Sequence, residues 1–156
     1  MFTQKELLNI VKKLRFDHGH FKVFIKLNSK LGLKLSESQT LRDNNYDRQE
    51  RANLIGLGPE VYGKFDITIG NVVLYGYYTE VVKVFDNYGD FSREFSPNNL
   101  DELQRKLKHC IDFDCRDVGY YNIGVKNGSM VLIDFDSGLD CWDSSADKII
   151  SLIDNL

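Results

Sequence analysis

The chain has 156 residues, 42% of them hydrophobic and 28% charged, with a net charge of −3. This composition predicts one soluble globular domain and excludes a disordered chain, and no apolar run is long enough for a membrane helix. The net charge is +4 over residues 1–50, −2 over residues 51–100 and −5 over residues 101–156. A basic first third facing an acidic last third would suit a metal–anion complex, although ordinary surface composition would explain the split as well. The total argues against a dedicated nucleic-acid binder.

The first half of the chain carries both helix and strand signals. Thr3 and Glu6 form a capping box before an apolar helical period, which predicts a helix over residues 3–14. Alternation from Phe21 to Ile25 predicts a strand. The remaining segments are predicted as a loop or weak helix, a helix, and two strands that meet at Gly70-Asn71: residues 28–45, 47–55, 61–69 and 72–84.

The second half continues with a hairpin and no βαβ repeat. A polar link is predicted over residues 86–97 and a helix over residues 98–109. Two strands, over residues 123–125 and 130–135, meet around Asn127-Gly128, and a final helix covers residues 145–153. Antiparallel hairpins without crossover units predict an α+β fold class. The three cysteines form no C-x-x-C pair, which favours free thiols in a cytoplasmic protein: Cys110, Cys115 and Cys141.

The segment 115–138 concentrates the residues that could carry chemistry. Asp117 lies on a predicted loop with Asn122, and Asp134 ends an apolar strand on the far side of a hairpin. These three side chains can therefore face one spot. Phosphoryl transfer needs such a set, a carboxylate for the nucleophile's proton and oxygen ligands that hold Mg²⁺ on the phosphates. The alternative is that Asp117 and Asn122 are ordinary turn residues and that Asp134 caps the end of a strand.

The order and spacing of these residues resemble the protein-kinase-like superfamily, and in particular compact bacterial and phage members with a truncated C-lobe. Arg116-Asp117 with Asn122 resembles the catalytic loop H-R-D-x-x-x-x-N, and Asp134 stands where the D-F-G motif has its aspartate. The resemblance implies Asp117 as catalytic base and Asn122 and Asp134 as Mg²⁺ ligands.

The same resemblance implies a fold of two lobes in a single domain. The N-lobe, an antiparallel sheet with the hinge strand, would cover about residues 1–84. A much reduced C-lobe with the catalytic loop would cover about residues 85–156.

Further site residues follow from the resemblance. Lys26, in the string V-x-I-K, would bind the α- and β-phosphates, and Glu50 would hold it by an ion pair, with Glu37 as a competitor for that role. Tyr78 would limit the depth of the nucleotide pocket. The hinge backbone that would bond to an adenine edge comprises three residues: Glu80, Val81 and Val82.

Several positions depart from the kinase pattern. No G-x-G-x-x-G loop precedes Lys26, and Cys115, Gly119 and Asp136 stand where the family commonly has His, Lys and Gly. The twenty residues after Asp136 are too few for an activation loop and a helical peptide platform.

The resemblance therefore implies a Ser/Thr-kinase-like phosphotransferase that uses ATP and Mg²⁺ on a protein acceptor or on itself. The alternative is an inactive pseudokinase that acts as a protein-binding inhibitor or regulator. Either would act in the cytoplasm of a bacterial cell or an infected host, with a protein partner and neither nucleic acid nor membrane; the acceptor and the oligomeric state stay open.

Two other motif interpretations are weaker. Asp134 and Asp136 fit the D-x-D of a haloacid-dehalogenase phosphatase, but that fold needs further acidic and Lys residues far downstream. Asp112, Asp114 and Asp117 loosely fit a Ca²⁺ loop, which lacks its closing Glu at Ile123.

Overall fold

A computed structural model of the protein describes residues 2–13, 23–115 and 118–135, together with residues 151 and 155. The predicted final helix therefore lies almost wholly outside the described residues. The helices and strands in chain order are α1 (Gln4–Lys13), β1 (Val23–Lys26), β2 (Leu31–Ser36), α2 (Gln39–Leu54), β3 (Val61–Ile69), β4 (Val72–Glu80), β5 (Lys83–Val84), α3 (Tyr88–Glu94), α4 (Pro97–Ile111), a 3₁₀ turn (Tyr120–Asn122), β6 (Ile123–Lys126) and β7 (Ser129–Leu132). This α+β arrangement of helices and antiparallel sheets confirms the predicted class.

The larger sheet has the strand order β1-β2-β4-β3, and all neighbouring strands are antiparallel. β3 and β4 form the predicted hairpin at Gly70-Asn71. Gly70 has a φ of 59° there, a conformation that glycine adopts without a Cβ clash. The chain leaves β2 through α2 and returns at the far edge as β3, so β4 lies inside the sheet.

The two faces of this sheet differ in polarity. Leu33, Leu35 and Tyr78 lie on an apolar face, which α1 covers with Leu7 and Val11. Alternate residues of the same strands point the other way, towards α2. The first face is an ordinary core, and the second positions polar side chains.

Two local predictions are confirmed by geometry. In the capping box of α1, the Thr3 N–H donates to Glu6 Oε2 at 2.7 Å and the Glu6 N–H donates to Thr3 Oγ1 at 3.2 Å. Asn127 and Gly128 turn the chain between β6 and β7 with φ values of 52° and 76°, as expected for a tight hairpin.

The helix predicted over residues 47–55 is present, but residues 28–45, predicted as a loop or weak helix, contain a strand and the first half of that helix. β2 lies within the predicted loop, and α2 starts eight residues before the predicted start at residue 47. The Ser38 side chain caps α2 by accepting the Leu41 N–H at 3.3 Å. The sheet-facing side of α2 is largely polar, so no apolar period marks it: Arg42, Asn45, Gln49 and Ala52.

The second part of the fold packs α3 and α4 against the sheet β5-β6-β7. α4 is the helix predicted over residues 98–109 and extends past both ends, whereas α3 lies in the predicted polar link. Its largest fully buried side chains come from α3, α4, β6, β7 and the segment that follows β7: Phe91, Leu107, Ile123, Leu132 and Phe135.

α2 joins the two parts. Ala52 belongs to the core of the second part, and the Leu132 N–H donates to the Leu57 carbonyl, just after α2, at 2.9 Å. The region around α2 is therefore where a site shared by both sheets would form. None of the helices within the described ranges combines the length and apolarity required to cross a membrane.

Candidate functional site

The backbone segments that carry Asn122 and Asp134 meet at the open end of the β6–β7 hairpin. Ile123 pairs with Leu132 in the ladder, and the Ile133 N–H continues it by donating to the Asn122 carbonyl at 2.9 Å. Asp134 is therefore one residue beyond the residue that pairs with Asn122. Both side chains are partly buried. The hairpin thus places the backbone of the two predicted metal ligands in adjacent positions.

Lys34 is one of the cations that reach this end of the hairpin. It lies on β2, and its Nζ donates to the Ile133 carbonyl at 2.6 Å and to Gln49 Oε1 at 3.0 Å. The ammonium also lies 5.6 Å from the centre of the Tyr77 ring and 5.9 Å from that of Phe135. Lys34 thus connects the larger sheet to the backbone immediately before Asp134.

Gln49, fully buried on α2, positions that ammonium. Its Oε1 accepts from Lys34 Nζ and from the Tyr77 hydroxyl at 2.9 Å. Its Nε2 donates to Thr79 Oγ1 at 2.7 Å and to the Pro59 carbonyl at 3.2 Å. All four hydrogen-bonding positions of the amide are used, so its orientation is determined.

The ion pair expected between Lys26 and Glu50 is not formed, and both side chains are exposed. Lys26 shares a sheet face with Lys34, because it pairs with Gly32 two residues before it, but β1 is the outer strand. Glu50 follows Gln49 and points away from the sheet. The pair does not form because β1 is the outer strand and Glu50 lies on the exposed side of α2.

Tyr78 does not face this site either. It lies on the apolar face with α1, and its hydroxyl accepts the Phe2 N–H at 3.2 Å. Burial raises the pKa of Tyr78, the bond from Phe2 lowers it, and nearby Glu6 raises it, with a net increase. Thr79, the next residue, lies on the other face, where its hydroxyl accepts from Gln49 Nε2.

An open aromatic surface lies beside Lys34. A Cβ on Gly32 would come within 2.6 Å of the Phe24 ring, so the ring lies directly over this glycine. Phe24 pairs with Lys34 across the strands and is 37% exposed. An exposed ring next to a cation provides a stacking surface for a planar group.

The predicted hinge, Glu80 to Val82, connects β4 to β5. The Glu80 N–H donates to the Glu60 carbonyl at 2.8 Å and the Val81 N–H to the Lys30 carbonyl at 2.9 Å. The Glu80 carboxylate accepts from Lys126 Nζ at 2.7 Å. Two of the three backbone N–H groups of this predicted hinge therefore form hydrogen bonds within the protein. Fewer backbone groups are left that could bond to an adenine edge.

Arg48 contacts the backbone immediately after Asp134. Its Nη1 donates to the Phe135 carbonyl at 3.0 Å, and its guanidinium lies 5.1 Å from the centre of the Phe113 ring. Sequence reasoning missed Lys34, Gln49 and Arg48. The signal for Lys34 was available, since the alternation L-G-L-K-L over residues 31–35 is that of a half-buried strand.

The donor set suits a magnesium ion that shares its coordination with phosphates. No group of three or more His, Cys, Asp or Glu converges within the described ranges. Asn122 and Asp134 offer an amide and a carboxylate oxygen, and Mg²⁺ is commonly held by one or two carboxylates plus substrate phosphates and water. The predicted base Asp117 lies outside the described residues, as does Asp136.

No protein-family model matches the chain, and no curated protein matches it.

Proposed function

We propose that this protein is a kinase-like phosphotransferase that binds Mg-ATP between its two sheets. It transfers the γ-phosphate to a hydroxyl group of a protein acceptor or of the chain itself. The observation that carries the proposal is the 2.6 Å hydrogen bond from Lys34 to the carbonyl directly before Asp134. A strand lysine beside a metal-binding aspartate is the arrangement that phosphoryl transfer in kinases requires.

Lys34 takes the role that the sequence had suggested for Lys26. Its ammonium would meet the α- and β-phosphates, and Gln49 would hold it in the position where kinases use a helix glutamate. The support is geometric, because Lys34 contacts α2 and the Asp134 segment together. Asn122 and Asp134 would bind the Mg²⁺ ion that neutralises charge on the phosphates.

The base would stack on the Phe24 ring and face the hinge. This orientation directs the phosphates from the outer strands towards Lys34 and Asp134. The strand order supports this orientation. Gly32, under the Phe24 ring, pairs with Lys26 on β1 and with Thr79 on β4, and Thr79 immediately precedes Glu80 of the predicted hinge.

The transfer step balances without any further reactant. The acceptor oxygen forms a bond to the γ-phosphorus, the bond to the β–γ bridging oxygen breaks, and ADP leaves. The proton of the acceptor hydroxyl passes to the Asp117 carboxylate, the proposed base.

A second candidate is a kinase-like protein that binds nucleotide without transferring phosphate and acts by binding a partner. One observation favours it: the α2 partner of Lys34 is an amide, whereas active protein kinases use a carboxylate at this point. The two candidates share the nucleotide site and differ only in turnover.

Thermal unfolding with ATP, with either Mg²⁺ or a chelator, tests the shared site. A ligand at 100 times its Kd stabilises the folded state by about 2.7 kcal/mol, which corresponds to a Tm increase of roughly 5–10 °C for a chain of this size. We expect a Mg²⁺-dependent increase for the native chain, little or none for Asp134→Asn, and at least about tenfold weaker binding for Lys34→Met.

Lys26→Met is the matched comparison, since it removes an exposed lysine of the same face and should keep the Tm increase. An unchanged Tm of the native chain at millimolar Mg-ATP would overturn the proposal. Labelled γ-phosphate then separates the candidates: transfer that Asp117→Asn abolishes establishes the enzyme, and binding without transfer establishes the second candidate.

A further inference from the structure

The backbone around Asp134 is held by cations on both sides. The carbonyl of the preceding residue, Ile133, accepts from Lys34 Nζ at 2.6 Å, and the carbonyl of the following residue, Phe135, accepts from Arg48 Nη1 at 3.0 Å. Hydrogen bonds with a charged donor are roughly twice as strong as neutral ones. A rotation of this segment would break both.

Both cations depend on α2. Arg48 belongs to the helix, and Lys34 is held by the adjacent Gln49. The two neighbours act in opposite directions, Gln49 towards the larger sheet and Arg48 towards the second part of the fold. One turn of one helix therefore sets the position of the backbone on both sides of Asp134.

The Arg48 side chain is itself supported. Its guanidinium lies over the Phe113 ring, and Phe113 stacks with Phe135 at a centroid distance of 6.0 Å. Phe135 is fully buried, and a Cβ on Gly58 would be only 3.0 Å from its ring. The residue after Asp134 is thus fixed through both its side chain and its carbonyl.

We propose that Arg48 is a positioning residue that, together with Lys34, fixes the Asp134 segment in the geometry for binding Mg²⁺. α2 then holds this segment in place through Arg48 and through Gln49, which positions Lys34; we call this set of contacts the brace. The neutral amide of Gln49 is consistent with this role, because its bonds to Thr79 and Pro59 anchor α2 without a charge on the helix. This inference rests on the proposed Mg-ATP site.

The expected effect of losing the brace is a specific loss of metal affinity. Partners that orient a metal ligand commonly contribute about 10- to 100-fold to affinity. Arg48→Met should therefore raise the Mg²⁺ concentration for the half-maximal ATP-dependent Tm increase about tenfold, with less change in the affinity for ATP itself. Arg48→Lys keeps a cationic donor and should recover part of the loss.

Arg51→Met is the matched control. Arg51 lies on the same helix and also donates to a backbone carbonyl of the second part, that of Ile111 at 3.2 Å, far along the chain from Asp134. The Arg51→Met variant loses a comparable hydrogen bond to a backbone carbonyl, but this bond does not involve the Asp134 segment. We expect an unchanged Mg²⁺ midpoint.

Hydrogen exchange without ligand provides a second readout. The amides of residues 131–135 should exchange faster in Arg48→Met than in the native chain or in Arg51→Met. Equal effects of the two variants on exchange or on the Mg²⁺ midpoint, or no effect of Arg48→Met on either, would overturn the brace. Faster exchange with an unchanged Mg²⁺ midpoint would overturn it too.

The failure of the proposed function is distinguishable from these results. If the native chain shows no Mg²⁺-dependent Tm increase with ATP, the proposed Mg-ATP site is excluded, whatever the variants show. A native response with the same midpoint in Arg48→Met removes the brace alone. Arg48→Lys carries the comparison if Arg48→Met does not fold.

Discussion

At the scale of single residues, Gln49 shows how a buried polar group is accommodated. An amide buried without partners is costly, but Gln49 makes four hydrogen bonds to four different residues. These bonds set the position of Lys34 and hold the helix on the sheet. One side chain therefore serves the fold and the site together.

We expect Gln49→Leu to lower the free energy of unfolding by about 2–4 kcal/mol, because Tyr77, Thr79 and Lys34 lose a buried partner. Urea unfolding followed by circular dichroism measures this. Gln39→Leu, at the exposed start of the same helix, is the matched control and should stay within about 0.5 kcal/mol. Equal losses in both variants would contradict a special role for Gln49.

At the scale of secondary-structure elements, the first half of α2 is held by an ionic cluster. Arg42, only 5% exposed, donates to the carbonyls of Phe65 and Gly76 at 2.9 and 3.1 Å. Asp43 accepts from Arg42 at 2.7 Å and from Lys64 at 3.0 Å. The cluster joins α2 to β3 and β4 beyond the reach of Gln49.

This cluster should make α2 sensitive to acid. Partial burial by itself raises the pKa of Asp43, but the hydrogen bonds from Lys64 and Arg42 lower it by more, so its net pKa is below the usual value. A carboxylate with a lowered pKa stabilises the fold above its unfolded pKa, about 3.9. That contribution disappears as the pH falls through the folded-state pKa.

We therefore expect the native chain to be more stable than Asp43→Asn at pH 7, by up to about 1 kcal/mol for such a partly exposed group. The difference should shrink as the pH falls below about 4. Urea unfolding of both proteins across this pH range measures it. A constant difference down to the lowest pH would show that Asp43 acts without its charge.

At the scale of the whole molecule, Lys126 links the two parts of the fold beside the predicted hinge, residues 80–82. Lys126, on β6, donates to Glu80 at 2.7 Å and to Asn53 at 3.0 Å. Lys126 and Glu80 are 20% and 24% exposed, so the pair is partly shielded from water. It ties the second sheet to the end of β4 and to α2 at once.

We expect Lys126→Met to lower the free energy of unfolding by about 1–2 kcal/mol, since Glu80 and Asn53 lose a shared charged partner. Lys106→Met is the control, because Lys106 pairs with Glu102 on the exposed side of α4 and such pairs contribute little. Urea unfolding measures both. A loss in Lys106→Met as large as that in Lys126→Met would show that the junction has no special role.

The sequence alone determined the elements whose signals are local. The capping box of α1, the turns at Gly70 and Gly128, and the α+β class follow from short-range chemistry, which neighbouring residues express on their own. The adjacency of Asn122 and Asp134 was also predictable, because a tight hairpin separates them and brings its ends together.

Only the tertiary structure decided which lysine reaches the backbone before Asp134 and which residue of α2 holds it. Lys26 and Lys34 lie on the same face, and their difference arises from the order of β1 and β2 in the sheet. Gln49 was missed because the sequence predicted its helix but not which side of that helix faces the sheet. Strand order and helix facing are set by contacts between residues far apart in the chain, so no local pattern of residues encodes them.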